Sequence, residues 1–172
     1  ELNGATATIL AGTGPVGVRA ARLLAGAGAT VRIGSRSQTR AMEAAATINE
    51  RLQSDAVTGV ETSSSDQTTA ALDGSNILIA AGAAGIQLVD TSCWKGNESL
   101  KVAVDLNAVP PLGIESVDVM DQAVDHSGTV CYGAVGVGGT KMKIHKAAIA
   151  SLFHSNDKVL DAEEVFQIGL EQ

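Results

Sequence analysis

Aromatic side chains are nearly missing from this chain, which has one Trp, one Tyr and two Phe among 172 residues. A core must therefore be assembled from Ala, Val, Ile and Leu at close spacing, which is how a helix-covered parallel sheet reads. Cysteine is equally sparse. Cys93 and Cys131 form neither a C-x-x-C pair nor a metal-ligand spacing, so no metal site is expected and both thiols are read as reduced, as in a cytoplasmic protein. No apolar run reaches the length of a membrane span, and no signal-peptide pattern is visible. Positive charge is in deficit, with 12 Lys and Arg against 19 Asp and Glu and a net charge of −7. Such a surface repels nucleic-acid backbones and anionic bilayers, which argues against both as partners. Any phosphate must then be recognised by a local cluster of cations. Internal repeats, heptad arrays and low-complexity linkers are absent as well.

What is present is an alternation. Short β-branched runs at about residues 5–11, 30–34, 56–61, 76–81, 101–106 and 130–133 are separated by longer alanine-rich segments, the pattern of βαβ units with right-handed crossovers. Helices are expected over about 15–27, closed by Gly28 as a left-handed cap, and over 38–54, 86–94, 139–153 and 162–170. A further short helix ends near Asp73-Gly74. On the second helix Met42, Ala45, Ile48 and Leu52 share one side. The fold class that follows is α/β, a Rossmann-like doubly wound sheet, mostly parallel, with helices on both faces. The length suits one such domain over residues 1–172. The chain opens at Glu1, close to its first strand, as a processed chain or an excised domain does.

Between the first strand and the first helix stands Gly12-Thr13-Gly14-Pro15-Val16-Gly17, a G-x-G-x-x-G. At a strand-to-helix turn the first glycine allows the tight turn, the second lets backbone approach a pyrophosphate, and the third lets helix and strand pack closely. The helix N-terminus then offers the phosphates free N–H groups and a favourable dipole. Pro15 suits the first helical turn, where its missing N–H has no partner to lose. NAD-preferring folds place a carboxylate about 20 residues further on, for the ribose hydroxyls. Here the second strand ends in Ser35-Arg36-Ser37 with Arg40 following, and no carboxylate comes before Glu43. Guanidinium groups and hydroxyl donors match a 2′-phosphate, and Arg36 can stack on adenine. NADP is the expected cofactor. The plainer alternative makes both arginines solvated charges, although a helix N-terminus disfavours cations.

Two further regions are candidates. Ala81, Gly82 and Ala83 follow the fourth strand and leave room for a flat cofactor, or serve as an ordinary turn. Beyond the fifth strand, Asp105 and Asn107 orient a ribose or amide, or cap the loop, capping being the better reading for Asp105. In the segment from Tyr132 to His145 a glycine-rich loop gives way to a helix on which Lys141, Met142, His145, Ile149, Leu152 and Phe153 fall on one broad face. Lys141 also opposes the dipole at the helix start. A residue that violates local preference often answers to something outside its domain. The alternative is a snorkelling Lys141 and a satisfied, buried His145.

Leu10-Ala11-Gly12-Thr13-Gly14-Pro15-Val16-Gly17, Leu23-Leu24-Ala25-Gly26, Pro110-Pro111-Leu112-Gly113-Ile114 and Lys141-Met142-Lys143-Ile144-His145, with Phe153 and Asp161-Ala162-Glu163-Glu164, resemble the NADP-dependent methylene-tetrahydromethanopterin dehydrogenases. The likeness runs the length of the chain. It implies an oxidoreductase of one-carbon metabolism in which NADP⁺ takes a hydride from methylene-tetrahydromethanopterin, or from the tetrahydrofolate equivalent, leaving the methenyl form. Lys141 and His145 would then be the catalytic residues lining the pterin cleft, and the protein would be a cytoplasmic homo-oligomer. The family also carries an N-terminal pterin-binding domain of roughly a hundred residues that this chain does not contain, leaving it as the NADP-binding domain. Ser35-Arg36-Ser37 with Arg40 is similar to the cofactor signature of shikimate-dehydrogenase-like enzymes too. A non-catalytic NADP-binding module is the remaining alternative.

Overall fold

The computed structural model describes residues 2–155 and 157–171. The elements run β1 (Thr6–Leu10), α1 (Pro15–Gly26), β2 (Thr30–Ser35), α2 (Gln38–Leu52), β3 (Val57–Glu61), α3 (Ser65–Leu72), β4 (Ile77–Ala80), α4 (Thr91–Trp94), β5 (Val102–Asp105), β6 (Gln122–His126), β7 (Thr129–Tyr132), α5 (Gly138–Leu152) and α6 (Ala162–Leu170). Seven strands form one sheet in the order β3-β2-β1-β4-β5-β7-β6. Every pairing is parallel except that of β6 with β7. The order reverses between β1 and β4, so the expected Rossmann-like doubly wound sheet is present.

Side chains alternate across β1 because successive Cβ atoms point to opposite faces. Ile9 packs with Ala21, Ile33, Ala45 and Ile48 on the side of α1 and α2. Leu10 packs with Leu72, Leu78, Trp94 and Leu100 on the side of α3 and α4. Thr8 points the same way as Leu10 and is wholly buried, but its hydroxyl donates to Ala71 O at 2.9 Å and lies 2.7 Å from Ser75 Oγ. A buried polar group so satisfied carries little penalty. The largest core side chain is Trp94, fully buried with Nε1 donating to Glu115 O at 3.1 Å. An aliphatic core was expected; one aromatic ring anchors half of it.

Several expectations are corrected. Ala41 takes the buried position assigned to Met42, which is 56% exposed. The cause is Gly59 on β3, where a Cβ would come within 2.3 Å of the Ala41 carbonyl carbon, so α2 lies against bare backbone. Of the helix expected over 86–94 only the turn Thr91–Trp94 forms, and Val89 instead bridges to Ile114 as extended chain. β6 was missed because its first four residues are all exposed, leaving no alternation to detect. Its register shifts between Gln122 and Val124, where Ala123 has φ 57°. Ser127 and Gly128, both at positive φ (60° and 93°), turn it into β7, the backbone of a two-residue hairpin. Gly28 (φ 94°) closes α1 as expected, and both cysteines are free and buried. α5 packs on α6 through Ile144 and Gly169, and Glu163 ties α6 to Arg22 of α1 and Arg51 of α2. Among the described residues no helix is long and apolar enough to cross a membrane.

Candidate dinucleotide-binding cleft

The turn from β1 into α1 is held by Gly12 N donating to Gly34 O at 2.9 Å. Its three glycines have different surroundings. A Cβ on Gly12 would lie 2.8 Å from Ile9 O and 2.9 Å from Ile33 Cγ2, and one on Gly17 would lie 2.5 Å from the Cα of Gly12. Those two are required by the protein's own packing. A Cβ on Gly14 would meet nothing nearer than Ala11 O at 3.7 Å. Its φ of −76° and ψ of 167° also suit any residue. No internal contact therefore demands glycine at position 14, which is half-buried next to the exposed Pro15 and Val16. α1 begins at Pro15 with no side-chain cap and no acidic residue in its first turn, leaving the positive end of the helix dipole uncompensated.

Beside this turn, at the carboxyl ends of the strands, lies a cleft of about 720 Å³. It sits where the strand order reverses, the usual ligand position in open α/β sheets. Of the residues expected on a cofactor, Thr13, Ser35, Arg36, Ser37, Arg40, Gly82 and Ala83 line it. The others stand outside the lining: Gly12 and Gly17 are buried within the turn, Gly14 and Ala81 are half-buried, and Pro15 and Val16 are exposed. Ser35 Oγ accepts from Ser37 N at 3.2 Å, and Ser37 Oγ accepts from Arg40 N at 3.5 Å as the cap of α2. Each hydroxyl keeps its proton for a ligand. Arg36 and Arg40 are exposed, and among the described residues neither takes part in an ion pair. Two cations with no counter-ion flank a row of hydroxyl donors, a surface suited to a phosphate monoester.

The opposite wall was not anticipated. It is formed by the β3–α3 loop, Thr62 to Ser65, and by the segment from Ile86 to Asp90. The signal lay in the serine run: Ser64 accepts from Gln67 N while the Gln67 side chain accepts from Ser64 N, a capping box that starts α3 at the cleft edge. Asp105 and Asn107 act on the loop instead. Asp105 is fully buried, with Oδ1 accepting from Asn107 N at 2.9 Å and Oδ2 from Ile114 N at 2.8 Å. Burial pushes its carboxyl above the usual range, against the lowering effect of those backbone N–H groups. Asn107 accepts from Val109 N at 3.0 Å and donates to Pro111 O at 3.1 Å. Its amide, expected on the cofactor, is engaged by its own loop and stands outside the cleft lining.

Lys141 and His145 are exposed on α5 and do not line the cleft. The buried-imidazole alternative for His145 is thereby excluded. The apolar face they share is bare, with Met142 48%, Ile149 44%, Leu152 42% and Phe153 86% exposed; Ala148 is the helix's single buried side chain.

No protein-family model matches the chain. Over 171 residues it is 41% identical to the bifunctional protein MdtA of Methylorubrum extorquens, covering 99% of this chain and 59% of that protein. Over 175 residues it is 29% identical to the NAD(P)-dependent methylenetetrahydromethanopterin dehydrogenase of the same organism, again covering 99% and 59%. The chain thus spans about three-fifths of the length of these relatives. Among solved structures, quinate dehydrogenase from Corynebacterium glutamicum in complex with NAD matches all of this chain and 56% of its own, with a TM-score of 0.61 at 18% identity. That likeness concerns the fold alone.

Proposed function

We propose that this chain, a relative of the methylenetetrahydromethanopterin dehydrogenases over nearly its whole length, is the NADP-binding domain of an oxidoreductase acting on methylene-tetrahydromethanopterin or methylene-tetrahydrofolate. The observation that carries the cofactor half of this reading is the pair of guanidinium groups, Arg36 and Arg40, without an ion-pair partner among the described residues, lining the same cleft as Ala11 and Thr13 of the glycine-rich turn. The substrate half is supported by the sequence kinship.

The residues present fit the cofactor. Backbone at Gly14 and the opening turn of α1 would hold the pyrophosphate. Arg36 and Arg40 would grip the 2′-phosphate, with Ser35 and Ser37 donating. Ala83 would leave room for the flat rings at the cleft wall, whereas the bare face of Gly82 is taken up by Leu88, 2.8 Å from where a Cβ would stand. Bound NADP⁺ supplies a hydride acceptor. The methenyl product is a cation stabilised by its two adjacent nitrogens, so the chain needs no strong acid or base and contributes mainly orientation, which can be worth about 7–11 kcal/mol of barrier. Lys141 and His145 are assigned to the pterin-facing surface of α5. There a cation and an imidazole beside Met142 and Ile149 suit a flat heterocycle.

The test is a titration with NADP⁺ and NAD⁺, followed by NADPH absorbance with methylene-tetrahydromethanopterin, with and without the family's pterin-binding domain supplied. The reading requires NADP⁺ to bind at least about tenfold tighter than NAD⁺. Equal affinities would sink the cofactor assignment. For α5, Lys141→Ala and His145→Ala are expected to lower turnover with NADP⁺ affinity unchanged. A parallel loss of affinity would remove them from the pterin surface.

A further inference from the structure

The cleft contains one charge of the wrong sign for a phosphorylated ligand. Of its three charged lining residues Arg36 and Arg40 are cations, and the third is Asp90. Asp90 occupies the N-cap of α4, where an aspartate ordinarily accepts a hydrogen bond from the first N–H groups of its own helix. It makes no such bond. Glu115 does so in its place, with Oε2 accepting from Thr91 N at 2.8 Å. Asp90 is released to the cleft wall, where Oδ1 accepts from Gln87 Nε2 at 2.7 Å and Oδ2 from Ser65 Oγ at 3.2 Å. Among the described residues no ion pair joins it to Arg36 or Arg40, so it is not their counter-ion.

A carboxylate in a cleft for a polyanion opposes binding unless it meets a donor on the ligand. Phosphates and their ester oxygens offer none. The chain around Asp90 pairs with Gly113 to Glu115 beyond β5, but its carboxylate reaches Ser65 at the start of α3, the helix that follows β3. The carboxylate is thus directed toward the β2–β3 side of the cleft, which in this fold takes the adenosine half of a dinucleotide. On the adenosine half two kinds of donor remain: the ribose hydroxyl beside the 2′-phosphate, which falls with Arg36 and Arg40, and the base's 6-amino group, which is left for a carboxylate held on the α3 side. We infer that Asp90 is a specificity-determining residue that reads the adenine base by accepting from its 6-amino group, with Ser65 and Gln87 positioning the carboxylate. This inference rests on the dinucleotide reading above.

Nicotinamide hypoxanthine dinucleotide phosphate tests it, because hypoxanthine presents an acceptor oxygen where adenine presents the amino donor. Dissociation constants for this analogue and for NADP⁺ are measured with the wild type, Asp90→Asn and Asp90→Ala. The wild type is expected to favour the adenine form by about tenfold, a charge-assisted bond at a half-open site. Asp90→Asn is expected to bring the ratio to about one, chiefly by tighter binding of the hypoxanthine form, since its amide can turn and donate. Asp90→Ala should equalise the two by weakening the adenine form. Glu115 caps α4 in all three proteins, and unfolding temperatures check that each is folded. A wild type indifferent to the base, or variants that weaken both dinucleotides alike, would overturn the assignment and leave the cofactor reading standing. A wild type that binds no NADP⁺ would overturn both.

Discussion

Replacing Gly14 and Gly17 in turn by alanine should damage two different properties. At Gly14 the backbone is extended and a Cβ would sit 3.7 Å from Ala11 O, an ordinary contact. Alanine gains about 0.4–1 kcal/mol from a less flexible unfolded chain and loses a comparable amount as a poorer N-cap than glycine. The net change in stability is expected to stay within about 0.5 kcal/mol. At Gly17 the new atom would stand 2.5, 2.7 and 2.8 Å from the Cα, O and C of Gly12, all of them backbone. A helix-propensity gain of about 1 kcal/mol is outweighed by overlap that cannot relax by a rotamer change. The expected loss is about 1–3 kcal/mol, or about 2–4 °C in Tm for each kcal/mol. Urea unfolding measures the first property and NADP⁺ titration the second. Gly14→Ala should unfold like the wild type yet bind NADP⁺ at least about tenfold more weakly, because a methyl group stands where a pyrophosphate would touch backbone. Wild-type affinity in Gly14→Ala, or a stability loss matching that of Gly17→Ala, would refute the division of roles.

Other outcomes follow from the same geometry. Arg36→Ala and Arg40→Ala should each weaken NADP⁺ binding by about tenfold or more while leaving NAD⁺ nearly unaffected; parallel losses for both dinucleotides would detach these residues from the 2′-phosphate. Trp94→Ala should cost about 3–5 kcal/mol in urea unfolding, the range for a fully buried ring. Because burial raises the Asp105 carboxyl above 3.8, the folded state holds this proton more tightly than the unfolded one. The group's contribution to stability is therefore largest below pH 3.8 and declines as pH rises through the raised value. The stability of the wild type relative to Asp105→Asn should accordingly rise on going from pH 7 toward pH 4, as urea unfolding of the two proteins at each pH would report. The Cys131 thiol is pushed up to about 11 by burial and by the charges of Asp121 and Asp125. Alkylation of native protein at pH 8 should spare it until the chain unfolds, as mass spectrometry of the labelled peptides would report.

Legibility in the sequence followed the strength of local signals. Six of the seven strands, all but β6, were readable because strands of a helix-covered parallel sheet are short apolar, β-branched runs, as in Ile77–Ala80. The Gly12 to Gly17 turn and the Ser35 to Arg40 cluster were readable because both lie on consecutive residues. Asp90 and Ser65 are separated by 25 residues and join only through the crossover of α3, so no window along the chain contains that wall. Met42 was misplaced for a similar reason: the approach that buries Ala41 is permitted by Gly59, on a different element. Asn107 carries a side chain able to serve a ligand or its own loop, and only the positions of Val109 N and Pro111 O decide between them.

The outermost strand β6 has a consequence for how the protein shares solution with copies of itself. A free strand edge is a template on which another chain can extend the sheet. Here the left-handed residue Ala123 and the register shift beside it interrupt the row of outward N–H and C=O groups, leaving Val124 to His126 as the longest regular stretch of that edge. A three-residue stretch offers an incoming strand few bonds, so the kink shortens the template that this most solvent-exposed strand presents.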